Sequence, residues 1–234
     1  MTPQLLAQVM EATWPAAAIM RAGPWAIRDG RGGGKRVSAA TAEDDWHDGD
    51  IAQAEAAMAA LDQPALFLIR DQDPALDAAL QARGYRIVDP VVAYAMALTT
   101  MDPPEPMTTF PHWPPMAMAA DLWAEGGIGA DRIAVMHRAE GPKTAILGRS
   151  QDRAAGTAFV AMSGRIAMLH ALEITQALRR QGSAHNILRA AACWALDQGA
   201  DTLSLVVTVA NEPARRLYAS FGMSVVGHYH HRQK

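Results

Sequence analysis

The chain of 234 residues has a single cysteine, Cys193. That excludes a disulfide framework and any metal site built on several thiolates. No stretch reaches 18 apolar residues, and the opening MTPQLLAQVMEATWP carries no basic segment leading into an apolar one. Neither a membrane span nor a secretory signal is expected, and the default location is the cytoplasm. A surplus of basic charge is missing as well. Lys plus Arg total 21 against 24 Asp plus Glu, a formal charge of −3, too balanced for a general nucleic-acid binder. What is abundant is apolar residues, 50% of the chain, enough for a sizeable core and too many for disorder.

Charge divides the chain unevenly. Residues 1–108 hold 15 acidic and 8 basic residues, whereas 109–234 hold 9 acidic and 13 basic. Between them, Thr99 to Pro115 contains six prolines in 17 residues, a composition that continues neither a helix nor a central strand. The expected organisation is therefore a unit over 1–98, a stiff linker over 99–115 and a second unit over 116–234.

In the first unit, periodicity predicts helices over Gln4–Ala12 and Ile51–Leu61, and short strands at Trp25–Arg28 and Arg36–Ala39 around a hairpin turn, Asp29–Gly34. A continuous apolar strand, ALFLIR, precedes a helix ended by Gly84, and Val91–Leu98 closes the unit. In the second, helical Ala117–Glu125 and Arg132–His137 lead to strands Thr144–Arg149, Thr157–Met162 and Arg165–Ile174. Helix Ser183–Gln198, strand Thr202–Val209, helix Glu212–Ser220 and strand Val225–His231 follow. The alternation predicts an α/β fold with a mixed, partly parallel sheet. ALFLIRDQDPALDAALQARGY and TLSLVVTVANEPARRLYASFGM share strand, polar turn, Pro-Ala, helix and Gly, which suggests that the fold is duplicated.

The chemistry lies between Leu172 and Tyr218. A strand runs into Arg179-Arg180-Gln181-Gly182-Ser183-Ala184 at the start of a long helix. A glycine there admits close backbone approach, the first helical N–H groups lack internal partners, and two arginines add to the helix dipole. Together they favour a phosphate. Asn211, Ala214, Leu217, Tyr218, Gly222 and Met223 form a second block. The two blocks resemble the (Q/R)-x-x-G-x-(G/A) loop and the N-x-x-A-x-x-L-Y-x-x-x-G-(F/M) signature of the GNAT acyl-CoA N-acyltransferase superfamily. The resemblance spans about residues 117–232. With residues 1–98 as a degenerate copy lacking the loop, the whole is similar to tandem-GNAT proteins such as mycothiol synthase.

The resemblance implies acetyl-CoA as co-substrate. Backbone groups of Leu172 and Ile174 would hold its pantetheine arm and the 179–184 loop its pyrophosphate, with Asn211 contacting the arm or capping its helix. It implies an amine that attacks the thioester directly and Tyr218 as the acid that protonates the departing thiolate. The general base stays open. The position where many relatives carry glutamate holds Met168, and the neighbouring candidates are His170 and Glu173, with a β-bulge deciding which faces substrate. The acceptor is expected to be a small-molecule or peptide amine, neither nucleic acid nor membrane being a partner, and oligomeric state stays undetermined. An acyl-CoA-binding regulator without turnover is the alternative function. A nucleotide-binding module of another fold is disfavoured, since no G-x-G-x-x-G or Walker loop is present. In Gly30–Lys35 the flanking Asp29 and Arg36 fail the Walker pattern. No metal is expected, because alternation puts only His228 and His230 of the terminal histidines on one face. Trp113 is a candidate lining residue for the acceptor site.

Overall fold

The computed structural model describes residues 1–234. The first half contains α1 (Pro3–Thr13), β1 (Ala18–Ala22), β2 (Trp25–Asp29), β3 (Thr41–Ala42), α2 (Asp50–Ala59), β4 (Leu66–Arg70), α3 (Pro74–Ala82) and β5 (Arg86–Ala97). The second contains β6 (Thr109–His112), α4 (Ala117–Glu125), α5 (Ala130–Arg138), β7 (Lys143–Ser150), β8 (Arg153–Ser163), β9 (Ile166–Ile174), α6 (Ser183–Asp197), β10 (Thr202–Thr208), α7 (Glu212–Ser220) and β11 (Ser224–Gln233). Local rules explain several boundaries. Thr2 Oγ1 accepts the Leu5 N–H at 3.2 Å and Pro3 needs no partner in the first turn of α1. Asn211 caps α7 in the same way, through the Ala214 N–H at 3.2 Å.

The strands form a small sheet, β1-β2-β3, and an eight-stranded sheet ordered β4-β11-β5-β10-β9-β8-β7-β6. A parallel bridge between Ala40 and Phe67 joins them. Part of the order of the large sheet is symmetric between the two halves. In β4-β11-β5-β10, exchanging β4 with β10 and β5 with β11 gives the same order read from the other end. Each half thus lends its last strand to the other, and β5 lies antiparallel between β10 and β11. The fold is mixed α/β, as the alternation predicts.

One face of the large sheet packs under α6 and α7, where Val160, Leu169, Leu205, Ile187, Leu188 and Tyr218 share a core. On the opposite face, Trp123, Val135, Phe159 and Trp14 form a second core beneath α4 and α5. A third, with Val9, Met10, Met168 and Tyr229, lies under α1. The amino-terminal helix therefore packs on strands of the other half.

Two local expectations change. The proline-rich stretch contains β6, an edge strand whose Pro111 is opposite Ile146. Proline is tolerated there because an edge strand can turn the side without an N–H to solvent. Arg36–Ala39 is not a strand. Lys35–Val37 is a single 3₁₀ turn, and the chain is out of the sheet from Gly30 to Ala39. Positive φ angles at Arg31, Gly32 and Gly34 lift it onto α5. A β-carbon at Gly33 would stand 2.5 Å from Val135 Cγ2, so the glycine is needed for this contact.

Because β11 pairs only with β4 and β5 in the large sheet, residues 99–234 expressed alone leave β11 without a ladder and β10 with an open edge. That fragment is expected to aggregate or to show no cooperative unfolding by circular dichroism, whereas the full chain unfolds cooperatively.

Candidate active site

β9 and β10 run parallel from Ile166 opposite Thr202 to Leu169 opposite Leu205, then separate. Beyond that rung, β9 bulges. Phe159 of β8 faces His170 and Thr157 faces Glu173, so Ala171 and Leu172 oppose a single residue. Ala171 has φ +52°, and its carbonyl accepts the indole N–H of Trp123 at 2.8 Å, which pins the bulge from α4. The extra residue resolves the alternation. Leu172 and Ile174 pack toward the α6 face, whereas His170 and Ala171 meet the core under α4 and α5. Glu173 lies on that second face too, beneath Gly126 at the end of α4.

The two candidate bases differ sharply in surroundings. His170 is buried, between the rings of Trp14 and Phe159. Thr13 Oγ1 donates to the Val9 carbonyl at 2.6 Å, so the 2.9 Å contact from His170 Nε2 places the imidazole proton on Nε2. The Nδ1 lone pair then faces Arg36 Nη2 at 3.4 Å. Burial, aided by the Arg36 charge, lowers the His170 pKa well below the ordinary histidine range. Glu173 is more open. Its Oε1 accepts from Arg179 Nη2 at 3.1 Å, and Arg179 Nε also binds the Ile174 carbonyl at 3.0 Å. Met168, at the position of the usual glutamate, is buried under α1.

The loop that follows is built to receive an anion. Gly182 adopts the left-handed conformation, φ +82°, and α6 begins at Ser183. None of the six backbone N–H groups from Arg180 to His185 donates to another residue of the chain. No acidic residue stands in the first turn of α6, and the Ser183 hydroxyl is buried without a partner. Gln181 ties the loop to the β7–β8 turn, accepting from Gln151 Nε2 at 3.1 Å. Across the fork, Tyr218 projects from α7 into the core of the α6 face, its ring 6.0 Å from that of Tyr94. Burial raises its pKa to about 12.

Residues 103–223 match the acetyltransferase (GNAT) family, which is more than half of the chain. The chain belongs to the GNAT family. No curated protein matches it significantly. Among solved structures it is similar to a GCN5-related N-acetyltransferase from Kribbella flavida, at 20% identity over 99% of this chain and 95% of that one, TM-score 0.72. A functionally unknown conserved protein from Staphylococcus epidermidis is similar at 11% identity, covering 94% of each chain, TM-score 0.66. A tandem GNAT protein from the clavulanic acid biosynthesis pathway is similar at 13% identity, over 84% of this chain and 74% of that one, TM-score 0.61. At these identities the likeness is one of fold.

GNAT enzymes generally take acetyl-CoA as co-substrate, and this loop fits its diphosphate. The free N–H groups, the orphaned Ser183 hydroxyl and the flanking Arg179 and Arg180 are donors or cations of the right sign. Of the remaining GNAT residues read from sequence, Asn211 is the cap of α7, and the Ile174 carbonyl is held by Arg179.

Sequence reasoning missed a second feature of the fork. On the α1 and α5 face, a cleft of about 270 Å³ opens where Ala171 and Val206–Thr208 diverge. Its polar wall comes from Lys35, Arg36, Asp89, Arg132, Tyr229 and His231, five of them from the first half or the final strand. Trp113 does not line it; the ring packs on Phe159 at 5.5 Å. His231 is buried with neither ring nitrogen paired, and burial brings its pKa down to about 4. His230 instead contacts Asp77 Oδ1 at 2.7 Å, and the chain shows no cluster of three metal-ligating side chains. The signal in the sequence was the basic end, Lys35-Arg36, of the glycine run.

Two measurements follow from this geometry. A β-branched side chain is strained at φ +82° and would shift the Gly182 backbone that orients the donors, so Gly182→Val is expected to abolish stabilisation by CoA, about 2.7 kcal/mol at 100 Kd in the native protein by differential scanning. His231 has its folded pKa below its unfolded value of 6.5, so its contribution is complete above pH 6.5 and is lost as pH falls toward 4. Between pH 7 and 4.5, denaturant titration should show His231→Asn losing about 2–3 kcal/mol less stability than the native chain.

Proposed function

We propose that this protein is an N-acetyltransferase that moves an acetyl group from acetyl-CoA to a primary amine by direct attack. Residues 116–234 form the catalytic unit, and residues 1–98 are a degenerate copy that walls the acceptor cleft. The reading rests on one juxtaposition: six unpaired N–H groups at the start of α6 beside a fork whose other arm leads to Tyr218. Support for the copy comes from the exchanged strands and from Leu80 of α3, at the place in its helix that Tyr218 takes in α7.

The thioester is held with its diphosphate on the Arg180–Ala184 backbone and its arm along Leu172 and Ile174. The amine enters from the opposite face, through the cleft. An ammonium has no lone pair, so it first gives up a proton, and Glu173 takes it through water. Glu173 is preferred because its carboxylate is a half-buried group at the α4 end of the bulge, whereas both nitrogens of His170 are engaged in the core. The nitrogen then attacks the acetyl carbonyl. A C–N bond forms, the C–S bond breaks, and the sulfur leaves with the bonding pair. Tyr218 protonates that thiolate. A phenol with a pKa of about 12 is fully protonated at neutral pH, and its hydroxyl makes no competing hydrogen bond in the chain. The second amine proton is lost to solvent, Glu173 releases the proton it took, and the phenolate takes one back from solvent, which completes the cycle.

Free-thiol release from acetyl-CoA across an amine panel tests the reading; a protein that only bound the thioester would show affinity and no turnover. Tyr218→Phe is expected to keep CoA binding and lower kcat by about 10²-fold or more. The native profile should show no alkaline loss of kcat below about pH 11, because the buried phenol stays protonated. Glu173→Gln is expected to remove the acidic limb of that profile and His170→Gln to leave it in place. The reverse outcome would move the base to His170.

A further inference from the structure

The charges facing the fork cleft do not balance. Lys35 is neutralised by Asp89, with Nζ to Oδ2 at 2.7 Å. Glu11, the other carboxylate near Arg36, is held by Arg28 through three contacts of 2.6–3.1 Å. Arg36 and Arg132 make no ion pair at all. Both line the same wall. Arg36 is fixed in place: its guanidinium lies 5.4 Å from the Trp14 ring centre, and Nη2 meets His170 Nδ1 at 3.4 Å. The remaining Nη1 is cut off from water and unpartnered. Arg132 stands over Gly34, its Nε 3.3 Å from where a β-carbon would be. The His231 nitrogens, on the same wall, are buried and unpartnered too.

A desolvated guanidinium with Nη1 unpartnered and no carboxylate opposite it, next to a second guanidinium without an ion pair, destabilises the empty protein. Burial lowers the Arg36 pKa, and the nearby Arg132 charge acts in the same direction. Both costs are removed by an anion between the two forks. The preference has a shape as well as a sign, since a planar carboxylate matches the paired N–H groups of a guanidinium. Polyamines and other cationic acceptors would meet repulsion here.

We propose that the acceptor amine carries a carboxylate, held between Arg36 and Arg132 with His231 beside it, and that this subsite selects small amino acids over plain or cationic amines. The inference rests on the acetyl-transfer reading for the identity of the cleft. The cleft volume, about 270 Å³, suits a small molecule of this kind. In this arrangement Trp14 and His170 are positioning residues. They hold Arg36, and the bulge below them sets the distance from the carboxylate to the reacting nitrogen.

The experiment compares thiol release with β-alanine, propylamine, 2-aminoethyl phosphate and spermidine. The expected result is a kcat/KM for β-alanine at least 10²-fold above propylamine and spermidine, and above the phosphate. Arg36→Gln and Arg132→Gln should each reduce the β-alanine to propylamine ratio tenfold or more, through KM; Arg216→Gln, on the far surface of α7, should keep it. Arg36→Gln should also raise the melting temperature of the ligand-free protein, an effect no merely structural arginine would give. Equal use of propylamine, a preference for spermidine or the phosphate, or an unchanged ratio in both variants overturns the proposal. A binding arm separates this failure from that of the transfer reading. If CoA binds and no amine releases thiol, acetyl transfer falls, and the subsite is then judged by β-alanine alone. Thermal stabilisation by β-alanine that is lost in Arg36→Gln and Arg132→Gln upholds it; no stabilisation of the native chain rejects it.

Discussion

Parallel pairing between β9 and β10 ends at Leu169 and Leu205, and the rest of the molecule is arranged around that parting. A sheet that kept its ladder there would have no way through it. Main-chain groups that lose their partners at such a fork must find others. Here some do so locally: Trp123 takes the Ala171 carbonyl and Arg179 takes that of Ile174. The bulge adds one residue to β9, which brings His170 and Glu173 to one face although they are three apart in sequence.

The fork is held open by elements from both halves. β5 supports β10 from the outer side through a seven-residue antiparallel register, Thr202–Thr208 against Ala97–Val91. On one face α1 packs Thr13 and Trp14 against β9, and the glycine-rich excursion between β2 and β3 rests on α5. The first half has no donor-rich loop of its own, yet it supplies Trp14, Lys35, Arg36 and Asp89 to the cleft. Exchange of β5 and β11 makes this contribution permanent, because neither half completes its sheet alone. The same interlock explains why a division of the chain by charge and proline content does not divide the site.

Much of this was legible in the sequence. The long helices, the β7–β8–β9 meander and the glycine loop at the start of α6 follow from periodicity and turn residues, whereas the left-handed conformation of Gly182 comes from the structure. Asn211 was readable as a cap because asparagine three residues before a free N–H does that work in most contexts. What could not be read was long-range. Strand exchange leaves no local trace, since β5 has the same composition whichever neighbour it pairs with. The 3₁₀ turn at Lys35–Val37 looked like a strand because its apolar Val37 and Ala39 alternate; they are buried, but against different elements. Arg36 and His231 are separated by most of the chain and meet only through the fold. A glycine run followed by Lys-Arg marked the segment as unusual, but nothing local shows which cleft the arginine joins.

The two faces of the fork carry opposite electrostatic tasks, and this division constrains the chemistry. On the α6 face, free N–H groups and arginines lie at the start of α6, and Tyr218 is buried in the apolar core, so its phenol stays protonated at any physiological pH. On the α1 and α5 face, where Arg36 and Arg132 have no carboxylate partner, burial keeps His231 from taking a proton, with Lys35 and Arg36 acting in the same direction and Asp89 against it. A proton placed on an amine in that second environment is destabilised by Arg36 and Arg132. The same two arginines that would hold an anionic group on the acceptor would therefore also lower the pKa of its ammonium. In the proposed reaction, binding and deprotonation would then draw on one set of charges, and Glu173 as the proposed base would accept a proton from an amine already made more acidic by the wall it binds to.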